Sequence, residues 1–260
     1  MSAAAGDKAP PQPLVELGLG VAWLVGIAGA LQILDRLLPE AALGTVLLGA
    51  VLVDFLAGRA GARWDDTLAP EAPTDYPAAA KKVLGGAGIG LGAGVAVIAF
   101  ALALGWLDRH GEPVRLNGAV LLALVRAAAM AVRDELLYRG IPLAAASRAG
   151  IPAPAARVFA SLTGAAAMAL LPGVSLGGVA LALGAGFLSA SLWQRDRGGY
   201  AAVGARAAWL LLFGSLLHGG LFDVHWHAGN LAIGNTSWGA PAWLAAAALG
   251  VTGFLAGRKR

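Results

Sequence analysis

Residues 132–144 read VRDELLYRGIPLA, at the end of an apolar run that starts near Leu116 and already contains Arg126. Four charges, Arg133, Asp134, Glu135 and Arg139, fall within seven residues of this stretch. An unpaired charge at the centre of a membrane helix costs roughly 2.5–3.5 kcal/mol on insertion scales, so such residues face a bundle interior and often carry function. The stretch is either an ion-paired helix end resting in the headgroups or a buried site.

The rest of the chain sets the surroundings. Of 260 residues 58% are hydrophobic and 13% charged, and the mean hydropathy is +0.71. A soluble domain carries about 25% charged residues, so this composition is that of an integral membrane protein. The 38 glycines and many alanines suit closely packed transmembrane helices with small residues at their contacts. The absence of cysteine excludes disulfides, thiolate catalysis and cysteine-ligated metals. A pI near 9.8 is accounted for by basic cytoplasmic loops, and nucleic acid is not an expected partner.

Apolar runs long enough to cross a bilayer occur at roughly 14–34, 42–58, 83–107, 116–138, 154–171, 174–193, 201–221 and 240–257. The expected fold is all-α, a polytopic integral membrane bundle of about eight transmembrane helices. With the amino terminus inside, fourteen of the nineteen lysines and arginines fall on inner segments, three on outer loops, and Arg126 and Arg133 within the fourth span. That bias predicts a multi-pass protein of the inner, cytoplasmic membrane with both termini cytoplasmic. The proline-rich residues 1–13 read as a disordered cytoplasmic tail, 14–257 as a single transmembrane domain and 258–260 as a basic cytoplasmic tail. Residues 59–82 form the longest polar segment, a cytoplasmic connector.

On a helix, Glu135 and Arg139 are four apart with the acid on the amino-terminal side, the favourable orientation for a pair on one face. Asp134 and Tyr138 share that spacing. Arg148, fourteen residues beyond Asp134, marks the inner boundary and puts Asp134 about 21 Å deep if the helix continues. Gly140 and Pro142 are the places where it would bend.

The stretch DELLYRG resembles the E-E-x-x-x-R-G motif of the CPBP family of intramembrane glutamic endopeptidases, which includes the CAAX-prenyl proteases, bacteriocin-processing proteins and myxosortase-like enzymes. The family's further motifs are F-x-x-x-H on the next span and H-x-x-x-N two spans later. FASLT at 159–163 retains Phe159 and has Thr163 in the histidine position. LLHGGLFD at 216–223 has His218 in the histidine position, Phe222 in the asparagine position and Asp223 beside it. The resemblance covers about 80–235, with Asp134 in place of the motif's first glutamate.

The resemblance implies endopeptidase activity on a membrane-anchored peptide or protein tail within the lipid bilayer, without a cofactor. It implies a carboxylate that activates water, Asp134 or Glu135, with Arg139 orienting an acid and His218 as oxyanion donor or proton carrier. Phe159, Thr163, Phe222 and Asp223, at or beside the second and third motifs, are the candidate substrate-binding residues. Aspartate is one methylene shorter than glutamate, so either Glu135 has taken over as base or Asp134 works with another donor, His218 first among them; the expectation is that cleavage survives Asp134→Asn better than Glu135→Gln and that His218→Ala abolishes it. His218, His225 and His227 could ligate a metal, but H-x-H is common by chance and no metal is expected. Trp226, Trp238 and Trp243 read as interfacial anchors. The alternatives are a catalytically silent relative that binds or stabilises a peptide partner, suggested by Thr163 and Phe222, and a transporter path lined by Arg126, Arg133 and Asp134.

Overall fold

A computed structural model of the chain describes residues 12–37, 42–65, 73–110, 118–169, 174, 176–216, 223–226 and 240–258. Among these residues the chain forms α1 (Pro13–Leu37), α2 (Ala42–Arg59), α3 (Tyr76–Ala103), α4 (Gly118–Glu135), α5 (Ile141–Arg148), α6 (Ala153–Ala169), α7 (Leu176–Asp196), α8 (Tyr200–Leu211) and α9 (Ala240–Gly257). A π turn, Leu136–Gly140, joins α4 to α5 in one continuous rod, and a second, Leu212–Leu216, prolongs α8. Counted as rods, the helices number eight.

Three helical segments, Pro13–Leu34, Tyr76–Ala103 and Leu176–Asp196, are long and apolar enough to cross a membrane. The chain is accordingly a helical membrane protein. Tyr200–Gly214 and Pro241–Gly257 are shorter apolar helices. Large apolar side chains such as Leu19, Val25, Val51, Phe55, Leu91, Leu121 and Val251 lie exposed along α1, α2, α3, α4 and α9, as lipid-facing surface requires and a water-facing one would not tolerate in such number.

Helix α7 is the centre of the bundle. Two thirds of its apolar stretch, 67%, is buried, against 22% for α1 and 28% for α3. It packs against α6, α8 and α9, while α3 lies along α8 and α4 runs between α2 and α8. Small residues bring these axes together: a Cβ on Gly86 or Gly90 of α3 would run into the carbonyls of Ala201 and Ala205 on α8, and one on Gly184 of α7 into that of Ala246 on α9.

The helix ends follow local chemistry. Asp75 caps α3 by accepting from the Ala78 N–H at 3.1 Å, with Pro77 in the first turn. The π turn has a cause in Pro142, which lacks the N–H that an α-helix would direct to the Tyr138 carbonyl and crowds that carbonyl. The chain widens instead, and Ile141 N–H donates to Leu136, five residues back. The expected bend at Gly140 and Pro142 is thus a local change of helix type, and the rod continues to Arg148.

Two short strands, β1 (Leu107–His110) and β2 (Asp223–Trp226), pair antiparallel, with Leu107 opposite Trp226 and His110 opposite Asp223. Between the apolar runs 201–221 and 240–257, Asp223 belongs to an expected outer loop. The pairing corrects that for residues 223–226, because an extended segment satisfies its backbone groups by laddering with a second one.

Candidate functional site

The carboxylates of the opening stretch lie where α4 meets the π turn, and both are buried: Glu135 is 0% and Asp134 7% exposed. This is a buried polar layer, with Arg148 at the true rod end, where it pairs with Glu16 at 2.8 Å and donates to the Ala60 carbonyl at 2.7 Å. The adjacent acids point into different surroundings. Asp134 Oδ1 accepts from Arg133 Nε at 3.0 Å, and Asp134 Oδ2 lies 3.5 Å from Arg206 Nη2 of α8. Glu135 Oε1 accepts from the Ser189 hydroxyl of α7 at 2.9 Å, while its Oε2 is buried without a hydrogen-bond partner among the described residues.

The expected contact between Glu135 and Arg139 does not form. Their charges interact through the protein interior, but no ion pair within 4.0 Å joins them. Arg139 instead reaches across to α6 and α7, where Nη2 donates weakly to the Ala182 carbonyl at 3.4 Å. The reason is space. A Cβ on Gly186 would stand 2.9 Å from Arg139 Nη2 and one on Gly164 3.3 Å from Nη1, so the guanidinium occupies a niche that only glycines leave open. Its Nε, like Glu135 Oε2, is buried and unpartnered. Such orphaned groups cost about 1–3 kcal/mol each and call for a reason.

A cavity of about 20 Å³ lies beside this layer, lined by Asp134, Tyr138, Arg139 and Arg206 with apolar closure from Met168 and Ala182. A water needs roughly 10–15 Å³ of such space and two to four polar partners, so the cavity has room for one. Asp134 borders it and Glu135 does not. The arrangement can hold a water between a carboxylate that accepts its proton and two guanidiniums and a phenol that donate.

The remaining expected site residues fall into three groups. Thr163 and Phe159 are half-buried on α6, but the Thr163 hydroxyl donates to the carbonyls of Phe159 at 3.0 Å and Ala160 at 3.1 Å on its own helix. It borders no part of the cavity, and α6 contributes Gly164 to the site instead. Asp223 is placed only by its backbone, in β2. His218 and Phe222 lie outside the described residues, as do His227 and Trp238. Trp243 is 51% exposed on α9, a position open to an interface.

Two arginines occupy positions the sequence reading did not foresee. Arg206, one of the fourteen basic residues counted there on inner segments, sits in the interior of α8 with its side chain 10% exposed and facing Asp134. An unpaired guanidinium buried there would be costly, and the Asp134 carboxylate supplies its countercharge. Arg126, expected to line a path with Arg133 and Asp134 in the transporter alternative, is exposed on α4. Ser189 and Arg206 are the site residues that motif reading missed. A polar side chain within an apolar run, as both are, was the available signal.

No family model, curated protein or solved structure matches this chain.

Proposed function

We propose that this chain is an intramembrane endopeptidase resembling the CPBP glutamic proteases, and that it cleaves a membrane-anchored peptide or protein tail with Asp134 as general base. The observation that carries the reading is the one-water cavity bordered by Asp134, Tyr138, Arg139 and Arg206 at the depth where the DELLYRG motif lies. In this scheme Asp134 takes a proton from the water, and the hydroxide adds to the scissile carbonyl carbon. Arg206 and Tyr138 stabilise the oxyanion of the tetrahedral intermediate. The carbon–nitrogen bond then breaks, and the proton held by Asp134 passes to the leaving amine. Glu135 supports the layer from behind: anchored by Ser189, it supplies the negative charge that the buried Arg139 requires.

Eight crossings with both termini cytoplasmic belong to the same proposal, supported by the eight helical rods and the arginine and lysine bias. Reporter fusions after Arg36 and Gly229 then report the outer side, and fusions after Lys82 and Arg197 the inner side.

The test of activity is co-expression with tagged single-span proteins of the same genome. Loss of a tagged tail with wild type, and its retention with Asp134→Asn, is the expected result. A second reading, a silent relative that binds such a peptide, is favoured by one observation: the Thr163 hydroxyl serves its own helix and leaves the second-motif position without a catalytic group. Identical fragments from wild type and Asp134→Asn, with a peptide that co-purifies with both, would establish that reading and remove the protease assignment.

A further inference from the structure

At the other end of the α4–α5 rod lies a cavity of about 840 Å³, formed between the α2 end, α5, the first turn of α6 and the α7 end. Its size is within the range of small-molecule sites, about 300–1,000 Å³. Three arginines line it, Arg63, Arg148 and Arg197, and among the described residues no carboxylate does. Arg148 is neutralised by Glu16 and held by the Ala60 carbonyl. Arg63 and Arg197 are exposed and have no ion-pair partner among the described residues. The wall is built from the carboxy-terminal ends of α2, α5 and α7 and the first turn of the seventeen-residue α6, so its positive charge comes from the arginine side chains.

Arg197 stands at a helix end where the chain elsewhere uses glycine. Four helices end in the same hydrogen-bonded reversal, with an N–H bonding five residues back: Ala62 to Ala57, Trp106 to Ala101, Ile151 to Ala146 and Gly198 to Trp193. The residue before each of these donors has positive φ. In three it is glycine, Gly61 at 85°, Gly105 at 65° and Gly150 at 68°; in the fourth it is Arg197 at 49°. A left-handed backbone disfavours a long side chain, and such strain persists where the surrounding structure makes use of it.

We infer that this cavity binds a phosphate group through Arg63 and Arg197, which have no ion-pair partner among the described residues. Guanidinium forks match phosphate oxygens in charge and geometry. The phosphate can belong to a lipid headgroup or to a soluble anion, and the site is separate from the carboxylate layer, so the inference stands apart from the protease reading.

The experiment is thermal melting of the full chain in neutral detergent, titrated separately with inorganic phosphate, phosphatidylglycerol and phosphatidylcholine, on wild type, Arg63→Gln and Arg197→Gly. Arg197→Gly puts at the left-handed position the residue that prefers it, so this variant folds at least as well as wild type while lacking the guanidinium. The expected result is a rise in wild-type melting temperature with one of the two anionic ligands and none with phosphatidylcholine. Each variant should raise the half-saturating concentration about tenfold, the loss of one charge-assisted contact. A rise with inorganic phosphate identifies a soluble anion as sufficient, and a rise with phosphatidylglycerol alone identifies a headgroup. The inference is overturned if neither anion protects wild type, if phosphatidylcholine protects as well as they do, or if both variants respond as wild type does.

Discussion

The α3–α8 seam and the polar layer around the π turn both depend on glycine, to opposite ends. In the seam, Gly86 and Gly90 let one backbone rest directly on another, against the carbonyls of Ala201 and Ala205. In the polar layer, Gly164 and Gly186 leave a niche that a guanidinium fills, and the neighbouring side chains keep orphaned polar atoms and a water-sized space. A glycine in a membrane helix can therefore admit either a backbone or a charge. Which of the two it admits is decided by the facing helix.

Three substitutions separate the two uses, in order of decreasing effect. Arg139→Ala empties the guanidinium niche between Gly164 and Gly186 and removes a positive charge that acts on the buried Glu135 through the interior, and it should cost about 2–5 kcal/mol of stability. Melting in detergent measures this, and a melting temperature equal to wild type would mean that the layer is wetter than its burial indicates. Gly90→Val sets a branched side chain against the Ala205 carbonyl and should cost about 3 kcal/mol through overpacking. Gly92→Val, on the same helix with open space around it, is the control and should melt close to wild type. An equal loss in both would attribute the effect to helix propensity and dissolve the seam. Ser189→Ala removes the hydroxyl that donates to Glu135 and should cost about 1.5 kcal/mol. If that variant is neutral, Glu135 has another donor and its anchoring by α7 is withdrawn.

The helical, membrane-embedded character was legible because apolar run length and composition are properties of the chain alone. Run 42–58 nearly coincides with α2 (Ala42–Arg59), and run 240–257 with α9 (Ala240–Gly257). Burial of the acidic stretch was legible too, since Arg148 lies a full fourteen residues further along the same rod. Pairing was harder to read. The spacing of Glu135 and Arg139 promised a contact on one helical face, but side-chain direction at a widened turn depends on what the neighbouring helices leave open, here Gly164 and Gly186. Arg206 looked like a boundary charge because a linear count cannot distinguish a headgroup arginine from one paired across the bundle. Thr163 shows the same limit in reverse: motif alignment put it at a catalytic position, whereas a hydroxyl on a helix can bond its own preceding turn and turn away from the site.

The central claim is that the adjacent acids divide the work, Asp134 meeting water and Glu135 holding the layer together. Cleavage per folded molecule, measured side by side for Asp134→Asn and Glu135→Gln, tests it most directly. The account predicts that Asp134→Asn loses at least about 100-fold in rate, the lower range of a general base's contribution. It predicts that Glu135→Gln, although it melts at a lower temperature because Arg139 loses its countercharge, keeps a per-molecule rate within about tenfold of wild type. Retained cleavage in Asp134→Asn together with its loss in folded Glu135→Gln would contradict the account and transfer the base to Glu135.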